Sequence, residues 1–189
     1  MDLKHFGDSY DIVKKSLIAW LSDLGPWSAH PMFTHPVTGV EAQKFERFLG
    51  VRLLSRERID SQSDRARYFN VCQISQHVFL DPTTGLKVSS VAASKAPYFL
   101  LAEDLIRLAR SRPGYLTLTF DQSLSRGAEA KPQIRAKLAH FRAKGLHSFA
   151  YVSHASFIAF GCRRTQVDRA YRMVLKKSGL PSRCFVRSS

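Results

Sequence analysis

Residues 77–86 read HVFLDPTTGL. A short apolar run leads straight to an acid, and Pro82, two threonines and Gly85 then break any regular element. This is the layout of a buried strand that stops in a turn, with Asp81 at its carboxyl end. Downstream, LLAEDLIRLARSRPG has helical periodicity and is closed by Pro113 and Gly114. YLTLTF (115–120) follows as a second strand, rich in β-branched and aromatic residues.

The same alternation extends in both directions. Upstream, DSYDIVKKSLIAWLSDLG carries Ile12, Val13, Leu17, Ile18, Trp20, Leu21 and Leu24 at helical spacing and ends at Gly25 and Pro26. WSAHPMF is a strand candidate, although Pro31 argues against a central position. VEAQKFERFLG forms a second helix ended by Gly50, VRLLS a short strand, and RERIDSQSDRARYF a loop running into a short helix. Beyond residue 120, SLSRGAEAKP reads as an exposed basic loop and QIRAKLAHFRAKG as an amphipathic helix with Ile134, Leu138 and Phe141 inward. HSFAYVSHASFIAFG gives two strands joined at Ser153 and His154, TQVDRAYRMVLKKSG a last helix, and RCFV a last strand. The expectation is one three-layer α/β domain over residues 1–189, with a mostly parallel central sheet and a C-terminal antiparallel hairpin.

At 189 residues and 44% hydrophobic content the chain has the length and composition of one folded domain. It contains no apolar window approaching the ~18 residues of a membrane span, and MDLKHFGDSYD lacks the basic-then-apolar layout of a signal peptide. A cytoplasmic protein with no membrane partner is expected. Cys72, Cys162 and Cys184 are far apart, without metal-site spacing, and suit reduced buried thiols. The net charge of +14 is unevenly spread: from residue 126 onward, fourteen Lys or Arg face only Glu129 and Asp168. A one-sided positive field attracts polyanions, because each neutralised phosphate releases condensed counterions. Nucleic acid is therefore the expected partner, with Arg126, Lys131, Arg163, Arg164, Arg172, Lys176 and Lys177 as candidate contacts; a protein partner is the alternative.

Chemistry is expected where strands end. In open α/β sheets ligands bind outside the carboxyl ends of the strands, and two strands lead there into acids, Asp81 and Asp121. On the first helix Asp8 and Asp11 lie three residues apart and Lys14 three further on, so acids and base share one face. Asp81, Asp11, Asp8 and Lys14 are the candidate catalytic residues. Asp8, Asp11, Asp81 and Asp121 are the candidate ligands for Mg²⁺ or Mn²⁺. Simpler roles exist: Asp8 as a helix cap, Asp11 as a first-turn acid, Asp81 and Asp121 as starts of turns. The seven histidines form no HxH, HxxxH or HExxH, and no GxGxxG, GxxxxGK[ST] or GxSxG occurs.

GDSYDIVKKSLIAWL and FLDPTTGL together resemble an uncharacterised group of bacterial and phage-borne proteins. That group has a Gly-Asp-x-x-Asp-x-x-Lys opening helix and a Phe-Leu-Asp-Pro-x-x-Gly-Leu strand end, matched here by Gly7, Asp8, Asp11, Lys14, Asp81, Pro82, Gly85 and Leu86. More remotely, the layout is similar to the three-Cys-motif partner proteins. That resemblance implies a Rossmann-like domain related to class I methyltransferases, and the recurring pair of motifs implies that Asp8, Asp11, Lys14 and Asp81 share one site. WSAHPMFTHP has no glycine before Gly39 to approach a methionine moiety, so S-adenosylmethionine is not expected in the usual mode. Two readings follow: a metal-dependent phosphodiesterase or nuclease, or a non-catalytic binding module on a degenerate methyltransferase-like scaffold.

Overall fold

The computed structural model describes residues 6–74, 76–125 and 127–188. Helix α1 (Ser9–Leu21) starts where the Asp8 side chain accepts a hydrogen bond from the Asp11 amide, satisfying a free donor of the first turn. Strand β1 (Trp27–His30) follows. Helix α2 (Gly39–Leu49) opens on a capping box between Thr38 and Glu41 and closes on Gly50, whose φ of 71° suits glycine. Then come β2 (Arg52–Leu53), α3 (Arg65–Asn70), β3 (His77–Leu80), β4 (Gly85–Lys87), β5 (Phe99–Leu101) and α4 (Ala102–Ser111). The chain continues through β6 (Thr117–Asp121), α5 (Ala130–Ala143), β7 (His147–Val152), β8 (Ser156–Gly161), α6 (Arg164–Ser178) and β9 (Phe185–Arg187).

Seven strands form one sheet in the order β2-β1-β3-β6-β8-β7-β9. Neighbours are parallel from β2 to β6, and each pair beyond β6 is antiparallel. The fold is α/β, with a mainly parallel central sheet extended by antiparallel strands, consistent with a Rossmann-like fold. β3, β6 and β8 are buried at every residue, as strands covered on both faces must be. Because side chains alternate across a strand, β3 feeds two cores. Phe79 joins Leu17, Leu21, Leu118, Phe120, Val167 and Val174 under α1 and α6. Val78 and Leu80 join Leu105, Leu108, Ile134, Leu138 and Phe141 under α4 and α5.

Three local expectations need correction. The turn after Asp81 is shorter than DPTTGL suggests, because Gly85 and Leu86 belong to β4, and Leu100 and Leu101 belong to β5 rather than to the start of α4. Together β4 and β5 make a small parallel sheet of their own. Cys72 is buried, but Cys162 and Cys184 are only half-buried. No helix among the described residues is long and apolar enough to cross a membrane.

Candidate functional site

Asp81 follows β3 at the carboxyl edge of the sheet, and α1 brings Asp11 and Lys14 to it. The Lys14 ammonium donates to Asp11 Oδ1 and to Asp81 Oδ2, each at 2.8 Å. The two bonded carboxylate oxygens can therefore be no farther apart than twice that distance. Asp11 Oδ2 also accepts from the Gly7 amide at 2.8 Å. All three charged side chains are buried, with Lys14 at 5%, Asp11 at 2% and Asp81 at 1% exposure. Burial would lower the Lys14 pKa, but the Asp81 and Asp11 carboxylates outweigh it and hold the ammonium above its ordinary 10.5. Burial raises the Asp81 carboxyl, and the Lys14 charge offsets only part of that. Phe120 lies under Lys14 with its ring centre 5.2 Å from the nitrogen, and Tyr10 packs between Phe120 and His154. Asp8 stands at the rim, its carboxylate engaged in capping α1.

Asp121 ends β6, the parallel neighbour of β3, and still does not join this cluster. The register pairs Leu80 with Thr119, which sets Asp81 beside Phe120 and leaves Asp121 one residue further on. In a strand one residue is a change of face. Asp81 faces α1, whereas Asp121 faces α5, where Lys137 Nζ donates to its Oδ2 at 2.6 Å. The other oxygen, Oδ1, accepts from the Leu86 amide, the Ser123 amide and the Ser123 hydroxyl at 2.7 to 3.0 Å. Lys137 also donates to the Leu86 carbonyl and the Ser123 hydroxyl. Gly85 makes this approach possible: at its φ of +129°, an added Cβ would sit 2.7 Å from the Gln122 nitrogen and 2.8 Å from Asp121 Cα.

The four acids expected to hold Mg²⁺ or Mn²⁺ are not gathered at one point. The ammonium of Lys14 fills the space between Asp11 and Asp81, Asp8 caps its helix, and Asp121 is on the other face of the sheet. Among the described residues no group of three or more His, Cys, Asp or Glu is placed to hold a metal ion. His30, on β1 beside β3, faces the opposite way from Asp81, against Tyr68 and Phe69. Burial drives its pKa down to about 4.

The basic candidates are dispersed. β8 runs antiparallel to β6 with Phe160 opposite Thr117, so Arg163 and Arg164 leave the sheet at the edge where β6 begins. Asp81 and Asp121 lie at the edge where β3 and β6 end. Arg172 and Lys176 are exposed on α6, Lys177 is tied to Asp23 at 2.8 Å, and Lys131 is half-buried in the first turn of α5. Arg126 lies outside the described residues.

Four residues absent from the sequence candidates matter here: Lys137, Arg135, Arg142 and Arg187. Lys137 was detectable, because it falls three residues after Ile134 and four before Phe141 on the inward face of α5. The arginines stand out only once β9 is known to be the edge strand packed between α5 and α6. No protein-family model and no curated protein matches the chain.

Proposed function

We propose that this protein is a non-catalytic nucleic-acid-binding module. Its scaffold is a single three-layer Rossmann-like domain ending in an antiparallel hairpin, and it works in the cytoplasm. What supports a polyanion partner is the excess of twelve positive charges after residue 125, much of it exposed on α5, α6 and β9. What supports binding without catalysis is the position of Lys14, a built-in cation bonded to both carboxylates that a metal would need. A buried ion pair closed in this way holds α1 to the end of β3, which is a positional role.

A second reading, a phosphodiesterase acting with Mg²⁺ or Mn²⁺, draws on the meeting of Asp11 and Asp81 at the sheet's carboxyl edge. One experiment separates the two. Purified protein is incubated with single- and double-stranded DNA and RNA, with Mg²⁺ or Mn²⁺ present, and binding and cleavage are followed together. The module gives affinity that falls steeply with salt, no cleavage, and binding retained by Asp81→Asn. Cleavage that the Asp81→Asn protein loses would overturn it in favour of the phosphodiesterase. Binding to none of the four, or binding indifferent to salt, would remove the nucleic-acid role itself.

A further inference from the structure

A cleft of about 470 Å³ opens between α5 and the edge strand β9. Leu138, Phe185 and Val186 contribute to its lining, and Arg135, Arg142 and Arg187 supply its charge. Arg135 and Arg142 are seven residues apart on α5, roughly 10 Å along the helix axis, and both are exposed. A small recess of about 30 Å³ shares Arg142, Arg187 and Ser188 with the cleft and adds Arg164, His147 and Ser148. Asp168, the one acid lining it among the described residues, is already bonded by Arg187 and lies 3.6 Å from Arg164. The Ser148 hydroxyl is buried and has no hydrogen-bond partner among the described residues. Three guanidinium groups against one carboxylate leave the recess net positive, which favours an anion.

The cleft and the recess follow one sheet edge, with arginines from α5 on one side and from α6 and β9 on the other. We infer that this cleft takes the sugar-phosphate backbone of a single strand of nucleic acid, one phosphate seated among Arg142, Arg164 and Arg187 and its neighbour at Arg135. The inference rests on the nucleic-acid-binding reading and narrows it to one surface and one strand form. It also gives the exposed edge of β9 an occupant, where bare strand edges invite pairing with other chains.

The test is fluorescence anisotropy with a labelled 20-nucleotide oligodeoxythymidine and, separately, a 20-base-pair duplex, over a salt series. Wild type is compared with Arg135→Glu with Arg142→Glu, with Arg172→Glu with Lys176→Glu, and with Lys44→Glu with Arg47→Glu on α2 as the charge-matched control. The cleft variant loses at least about tenfold in affinity for the single strand, and its salt slope flattens by about 1.4. The control stays within about threefold of wild type. A second pair, Arg135→Gln with Arg142→Gln, changes affinity in the same direction by a smaller factor, and unchanged melting temperatures show that both pairs fold. If the α6 variant loses affinity and the cleft variant does not, the cleft is wrong while nucleic-acid binding stands. Tighter binding of the duplex overturns the strand assignment, and failure of wild type to bind either probe removes both readings together.

Discussion

Two aspartates end neighbouring strands at the same edge of one sheet, each bonded to a buried lysine, and the two pairs behave differently. Lys14 serves two carboxylates, and its pKa is held above 10.5 against burial. Lys137 serves one carboxylate, a carbonyl and a hydroxyl, and burial wins, lowering its pKa below 10.5. Asp121 spreads its charge over four hydrogen bonds that join β6, β4, α5 and the loop after β6. Asp81 relies on Lys14, and burial raises its pKa. The Asp121 group is a latch made of many modest bonds, whereas the Asp81 group is, among the described residues, a charge balance centred on the Lys14 ammonium. Strand-end position alone thus does not define a site; the number of donors that reach each carboxylate does.

The sharpest way to break this contrast is Lys14→Met. Two buried carboxylates lose their shared counter-ion, and removing one partner of a buried pair costs about 3 to 5 kcal/mol. Chemical denaturation at neutral pH measures the loss. The deficit should shrink as pH falls toward 4: without Lys14 the Asp81 carboxyl, already raised, binds a proton more readily folded than unfolded, so acid favours the folded variant. Adding Asp81→Asn to Lys14→Met should recover part of the stability by removing the orphaned charge. A deficit that does not change with pH, or a double variant no better than the single, would mean that Lys14 acts through packing.

Gly85→Ala attacks the latch. Its Cβ would collide with Gln122 and Asp121 while forcing a side chain onto a φ of +129°. Overpacking and backbone strain together cost about 3 kcal/mol. The loss should be accompanied by faster amide exchange at Leu86 and Ser123, the two amides that donate to Asp121. The amides of α1 should keep their protection, since nothing at the Asp81 cluster is touched.

Periodicity and turn chemistry made most of the scaffold readable. The apolar spacing of α1, α2, α5 and α6, the β-branched run of β6, and the closures at Gly50 and Gly179 all follow local rules. β4 and β5 were hidden because each is three residues long and one begins inside a turn signal. The association of Asp11, Lys14 and Asp81 was half legible: helical spacing put acid and base on one face, and the strand end put Asp81 at the right edge. What no local pattern contains is the β3–β6 register. A one-residue offset there sends Asp121 to the opposite face and removes it from any shared centre. The β9 cleft was illegible for a similar reason, since it depends on which strand lies at the sheet's edge.

The smallest expected effect is Lys137→Met, and it tests the contrast by sign. Asp121 Oδ1 keeps three donors when Lys137 is lost, and the variant no longer buries an ammonium, so the cost should be about 2 kcal/mol, near that of one hydrogen bond to a charged group. A lysine whose folded pKa is lowered binds its proton less readily folded than unfolded, so its contribution rises as pH climbs through that lowered value toward 10.5. The deficit of Lys137→Met relative to wild type should therefore widen over this range. Lys14 has its folded pKa raised, so its contribution is complete below 10.5 and is lost as pH rises through the raised value. The deficit of Lys14→Met should narrow there instead. Denaturation curves for both variants and wild type between pH 8 and 11 measure the two trends; deficits that move in the same direction would show that the two lysines are electrostatically equivalent and that the distinction between latch and charge balance is wrong.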